Sequence, residues 1–159
     1  MSFIVGCDPG LNGAIAVLTK DGEFVKVFDT PTYEVTSGKK TVRRVLAPAI
    51  VAELEQYTNA QAFIEMVGSR PGEGHMNSFN FGKSAGILEG IMAGLRIPSQ
   101  TVSSMAWTRQ MRVGKEKDQA RAIVAQTWPI AAAEVSRKKD IGRADALLIA
   151  EYGRLTCAR

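Results

Sequence analysis

The stretch FIVGCDPGLNGAIAVL, Phe3 to Leu18, limits the fold more than any other part of the chain. An apolar run ends in the carboxylate of Asp8, Pro9-Gly10 turn the chain, and a second apolar run, Ala14 to Leu18, follows. Short apolar runs bounded by turn residues read as buried strands. An ionised carboxylate at the rim of such a strand is costly to desolvate unless something pairs with it. The same event recurs at Glu65 in AFIEMV and at Asp145 in GRADALLIAEYG. Three isolated acids on apolar elements, far apart in sequence, point to one shared metal site.

Around that opening, strands are predicted near 2–8, 12–18 and 23–29. The third, EFVKVFD, alternates, and Lys20-Asp21-Gly22 before it suits a hairpin turn. The chain thus opens with three consecutive antiparallel strands. Thr30 to Thr41, with Pro31, Ser37 and Gly38, reads as a loose connection. A helix is predicted over 46–57, a strand over 61–67, and a glycine-rich loop over 68–76. Next come a helix over 77–95, a short strand near 99–103, a helical turn from Met105 to Met111, and helices over 117–128 and 142–156. Strands first, then alternating helix and strand, describe an α/β or α+β layer architecture. A chain of 159 residues suffices for one domain with a full core, so 1–159 reads as a single unit.

No apolar run approaches the length of a membrane span, and no basic leader precedes an apolar segment, so a cytosolic protein is expected. Cys7 and Cys157 form no metal-like or disulfide pattern, and Cys7 reads as a small core residue. The net charge is +4 and the pI about 9.2, compatible with a polyanionic partner. Basic residues gather at Lys39-Lys40 with Arg43-Arg44, at Arg109 to Lys117, and at Arg137-Lys138-Lys139. One such cluster is an ordinary solvated surface. Three together suggest a footprint for a phosphate backbone.

On the last helix, Asp145 shares the stripe of Leu148, Ile149 and Tyr152, which turns its carboxylate toward the sheet. Taken alone, it could equally be a helix-start acid favoured by the dipole. Aspartate and glutamate oxygens suit Mg²⁺ and Mn²⁺, and a pair of such ions supports phosphodiester hydrolysis. The single histidine, His75, reads as an exposed loop residue rather than a ligand. Arg70, His75, Asn77, Phe79 and Phe81 mix basic, polar and aromatic groups, as a surface that grips and unstacks DNA would. Phe81 is expected in the core, with Phe79 either exposed or a core anchor. Gly82, Gly86, Gly90 and Gly94 recur every four residues on one helix, at about 1 kcal/mol each against alanine. Such a ridge admits a close neighbour, either the sheet or the same helix of a second subunit.

The sequence resembles the RuvC-type Holliday junction resolvases, in particular their compact phage-like branch. The resemblance rests on GCDPGLNGAIAVL (6–18), FIEMV (63–67), PGEGHMNSFNFGKSAGILEGI (71–91), KDQARAIVAQTWP (117–129) and KKDIGRADALLIAEYG (138–153). It implies an α/β, ribonuclease H-like fold: a mixed five-stranded sheet, first three strands antiparallel, flanked by helices. It makes Asp8 the ligand bridging two metal ions, with Glu65 and Asp145 as further ligands. The family pattern has a fourth metal-side residue, often three positions before the last acid, where this chain has Gly142. Asp140 is the nearest carboxylate. In an unbroken helix it would lie roughly 140° from Asp145, at about 100° per residue, so it serves only if the helix starts after it. Lys117, with Lys115 beside it, matches lysines near the active site that hold the scissile phosphate or steady the transition state. Arg70, His75, Asn77, Phe79, Lys115, Lys117, Arg137, Lys138 and Lys139 complete the candidate DNA contacts.

The implied protein is a Mg²⁺-dependent endonuclease, with Mn²⁺ able to substitute. It would bind four-way junctions as a homodimer, associated with DNA in a bacterial or phage-infected cell, and leave 5′-phosphate and 3′-hydroxyl ends. The alternatives are a broader nuclease for branched DNA or RNA, or a DNA-binding module without catalysis. A nucleotide-binding protein of the actin or sugar-kinase type would need two similar lobes.

Overall fold

β1 (Phe3–Asp8) and β2 (Ala14–Thr19) are the apolar runs of the opening motif, and every residue of β2 is buried. They form the middle of a five-stranded sheet with β3 (Phe24–Asp29), β6 (Ala60–Glu65) and β7 (Ser99–Val102), in the order β3-β2-β1-β6-β7. β1, β2 and β3 are antiparallel neighbours, whereas β6 runs parallel to β1, and β7 parallel to β6. The computed structural model describes residues 1–66, 68, 74–116 and 118–157. Arg70, Lys117 and most of the expected 68–76 loop lie outside them.

Alternation along the strands divides the core in two. Ile4, Ala14, Ala16, Leu18 and Phe63 face α5 (Ile141–Cys157), α4 (Gln119–Thr127) and Trp107 of α3 (Ser104–Gln110). Val5, Cys7, Ile15, Val17, Ala62 and Ile64 face α1 (Ala47–Leu54) and α2 (His75–Gly94). Cys7 is thus a core residue. α5 lies so close to β1 that a Cβ on Gly6 would stand 2.2 Å from the Ala146 carbonyl oxygen and 2.4 Å from the Ala150 nitrogen. Only glycine permits that approach.

The expected loose connection is instead a hairpin of β4 (Thr32–Ser37) and β5 (Lys40–Val45), paired from Thr32↔Val45 to Ser37↔Lys40. Gly38 opens its turn at φ 60°, a positive value that glycine adopts readily. A 3₁₀ segment, Pro129–Val135, was likewise not anticipated. Among the described residues, no helix is long and apolar enough to cross a membrane.

Candidate functional site

Asp8 and Glu65 are the last residues of adjacent parallel strands, one step beyond the Cys7↔Ile64 pair. Both therefore stand at the carboxyl edge of the sheet, where open α/β sheets bind ligands. Asp8 is in phase with Ile4 and Gly6, and Glu65 with Phe63, so both project to the face covered by α5. There Asp145 enters from the second turn of the helix, with Leu148 and Ile149 of its stripe buried as expected. All three acids keep part of their surface open.

Their charges oppose one another. Burial, the negative charges of Asp145 and Glu65, and a hydrogen bond with Glu65 hold the Asp8 carboxyl well above the usual range. Burial, then the charge of Glu65, pushes Asp145 up to about 7. Burial and the neighbouring Asp8 push the Cys7 thiol up as well, which leaves it inert as a nucleophile. Glu65 is oriented by the Trp107 indole N–H, which donates to its Oε1 at 3.1 Å.

The donor set suits a hard divalent cation: three carboxylates, all oxygen, whose mutual repulsion a positive charge would relieve. Among the described residues, no three acidic, histidine or cysteine side chains are drawn into a ready-made metal shell. Binding would thus require Asp8 and Asp145 to give up protons and the carboxylates to close on the ion.

Asp140 has other business. It is 2% exposed, in a 3₁₀ turn (Lys138–Asp140) that immediately precedes α5. The helix does begin after it, yet its carboxylate accepts from the Arg137 backbone N–H (2.8 Å), Nε (3.1 Å) and Nη2 (2.8 Å). Those bonds hold the Asp140 carboxyl below its ordinary range. The structure thus ties this carboxylate into the turn with Arg137. Gly142 stands where the resemblance places that ligand: a Cβ there would lie 3.1 Å from Asp8 Oδ2 and 2.7 Å from the Asn12 carbonyl oxygen.

A cleft of about 840 Å³ opens beside Asp8. Asn77, Lys138 and Lys139, expected as DNA contacts, line it together with Asn12, Thr30, Arg43, Asn80 and Phe81. The Thr30 hydroxyl is buried there and has no hydrogen-bond partner among the described residues. Phe81 was expected in the core, but it is 41% exposed, belongs to neither cluster, and forms a wall of the cleft. Phe79 is 63% exposed near the start of α2, where His75 is exposed too. Lys115 is exposed and does not line the cleft. Arg137 faces Asp140 and keeps about half its side chain in solvent.

Arg43, Trp107, Asn12 and Thr30 were not singled out from the sequence. Only Arg43 carried a signal, as part of a basic cluster. It donates to the Leu11 carbonyl (2.8 Å), Asn12 Oδ1 (2.9 Å) and Thr32 Oγ1. The hairpin is thereby fastened to the turn that follows Asp8.

A mixed five-stranded sheet flanked by helices, with its first three strands antiparallel, is the ribonuclease H-like α/β fold. Within that class the architecture is RuvC-type. The structure of "T. thermophilus RuvC in complex with Holliday junction substrate" superposes with a TM-score of 0.69 at 14% identity, covering 99% of this chain and 96% of that one. A second Thermus thermophilus RuvC structure gives 0.59 at 14% identity, with 98% and 96% covered. No protein-family model and no curated protein sequence matches the chain.

Proposed function

We propose that the protein is a divalent-metal-dependent endonuclease that binds branched DNA, chiefly four-way junctions, and makes paired nicks leaving 5′-phosphate and 3′-hydroxyl ends. The observation that carries this reading is the convergence of Asp8, Glu65 and Asp145, from β1, β6 and α5, beside a cleft edged by Lys138, Lys139 and Arg43 on a RuvC-type fold. Asp8, Glu65 and Asp145 would hold Mg²⁺, or Mn²⁺ in its place. When bound, the cation activates water for attack and stabilises the departing oxygen. Trp107 is a positioning residue that fixes Glu65. Lys138 and Lys139 seat the phosphate backbone at the cleft wall, and Lys117 is assigned the scissile phosphate from the family resemblance.

A four-way junction is close to two-fold symmetric, so a homodimer would present two such sites to two strands. The glycine ridge supports that assembly. Among the described residues, a Cβ on Gly82, Gly86, Gly90 or Gly94 would have no neighbour within 4 Å, so the ridge does not pack on the sheet of its own chain. A smooth open stripe remains for a second copy.

An end-labelled synthetic junction, a linear duplex of the same sequence and Asp8→Asn protein test the reading. Symmetric, Mg²⁺-dependent nicks on the junction alone are expected. The Asp8→Asn variant should lose cleavage by at least about a thousandfold while binding nearly as tightly, since a metal ligand is lost but no DNA contact. Equal cutting of duplex would demote the protein to a general nuclease. A second reading, a DNA-binding module without catalysis, draws on Gly142. Binding without nicks in either Mg²⁺ or Mn²⁺ would favour it.

A further inference from the structure

The β4–β5 hairpin forms a separate two-stranded sheet; at its base Val45 packs against the core, and Tyr33 and Arg44 line a second pocket with Lys83, Ser84 and Ile87 of α2. Tyr33, Val35 and Val42 remain substantially exposed, the two valines at 37% and 42%. An isolated hairpin is marginally stable in water, so its anchorage matters. That anchorage is Arg43, bound to Leu11 and Asn12 next to Asp8, together with the Leu46 N–H bond to the Pro31 carbonyl at 2.8 Å. The ribbon thus projects from the rim of the cleft.

Register fixes what its faces carry. Tyr33 pairs with Arg44, Val35 with Val42, and Ser37 with Lys40. Directly paired residues share a face, so two valines, a tyrosine, Arg44 and Lys40 lie together. Lys39 occupies the exposed turn. Across the whole ribbon, Lys39, Lys40, Arg43 and Arg44 are opposed by one acid, Glu34.

We propose that this ribbon is a second DNA-contacting element, which enters the major groove of the duplex arm leaving the cleft. The proposal rests on the nuclease reading above. Strands of six residues span about 20 Å, and a major groove about 12 Å wide admits a two-stranded ribbon. Lys39 and Lys40, both exposed, reach the flanking phosphates, while Val35 and Val42 cover the groove floor. Valines offer no donor or acceptor, so the contact senses the presence of a duplex arm and not its sequence. A second copy of the chain fits this surface poorly. Like surfaces would set Lys39, Lys40, Arg43 and Arg44 of one copy against the same four cations of the other.

The test is the Lys39→Ala/Lys40→Ala protein, titrated at graded salt against a four-way junction with long arms. A second junction has arms that stop within about six base pairs of the crossover, short of the ribbon's reach. On long arms, the double variant should bind about tenfold more weakly, and its log–log salt slope should shrink by about 1.8, the value for two lost phosphate contacts. On short arms, wild type and variant should bind alike. An unchanged affinity and salt slope, with wild-type binding and nicking intact, would overturn the ribbon proposal alone. A variant whose oligomeric state changes instead would make the ribbon a protein interface and also overturn it. Wild-type protein that neither binds nor nicks junctions would overturn the nuclease reading itself.

Discussion

Asp145 holds its proton to about pH 7 because burial and the charge of Glu65 both oppose ionisation. In the unfolded chain the same carboxyl ionises near pH 4. The folded state therefore binds more protons than the unfolded one between about pH 4 and 7, and stability falls as pH rises through that window. Asp8, raised for similar reasons, acts in the same direction. Without divalent metal, Asp145→Asn should be more stable than the wild type at pH 8, by about 1–4 kcal/mol, with the gap closed near pH 4. Urea titrations at the two pH values read this directly. Adding Mg²⁺ at pH 8 should raise the wild-type Tm and move the variant's less. Asp140→Asn offers the contrasting case. It breaks the bonds of the buried Asp140 carboxylate with half-exposed Arg137 and should cost about 1–3 kcal/mol, yet leave Mg²⁺ affinity unchanged by calorimetry. A loss of Mg²⁺ affinity of tenfold or more would return Asp140 to the metal site.

Among the elements, the contact of α5 with β1 is the one that a single methyl group can break. Gly6→Ala would drive a Cβ into the backbone of Ala146 and Ala150, atoms with no rotamer by which to yield. A loss of about 3 kcal/mol or more is expected in denaturant unfolding, with metal binding impaired because Asp145 rides on the displaced helix. This part of the molecule was legible in the sequence. β1 and β6 each end in a carboxylate after an apolar run, β2 is a short apolar run, and the spacing of Asp145, Leu148 and Ile149 already turned that acid inward. The β4–β5 hairpin was not legible, because exposure on both faces removes the alternation that marks a half-buried strand. Pro31 and Gly38 then read as loop residues, although β-branched residues flank them. Phe81 was misplaced because helical spacing marks a face without saying whether a core or a cleft lies beyond it. The partner of Glu65 was out of reach for a different reason: Trp107 lies 42 residues away, and no local pattern announces a bond across that span.

For the whole molecule, the open glycine ridge of α2 and the modest positive charge bear on assembly and on DNA. Gly86→Gln/Gly90→Gln should fold normally, since no described residue stands within 4 Å of either position and helix propensity improves. In analytical ultracentrifugation the wild type is expected as a dimer, and the double variant should shift toward monomer by at least about tenfold in dissociation constant. A dimer of unchanged affinity would move the interface elsewhere.

The packing around Gly142 also constrains the order in which this site could change. A side chain at 142 would reach Asp8 Oδ2, but its first carbon would already overlap the carbonyl of Asn12. A fourth acid therefore cannot be gained there in one substitution. The turn from Pro9 to Gly13 would have to move first, and Arg43 holds that turn to the hairpin at two points. Descendants of this chain would have to loosen the hairpin before they could enlarge the metal site, and an acid arriving too early would be lost as a folding defect.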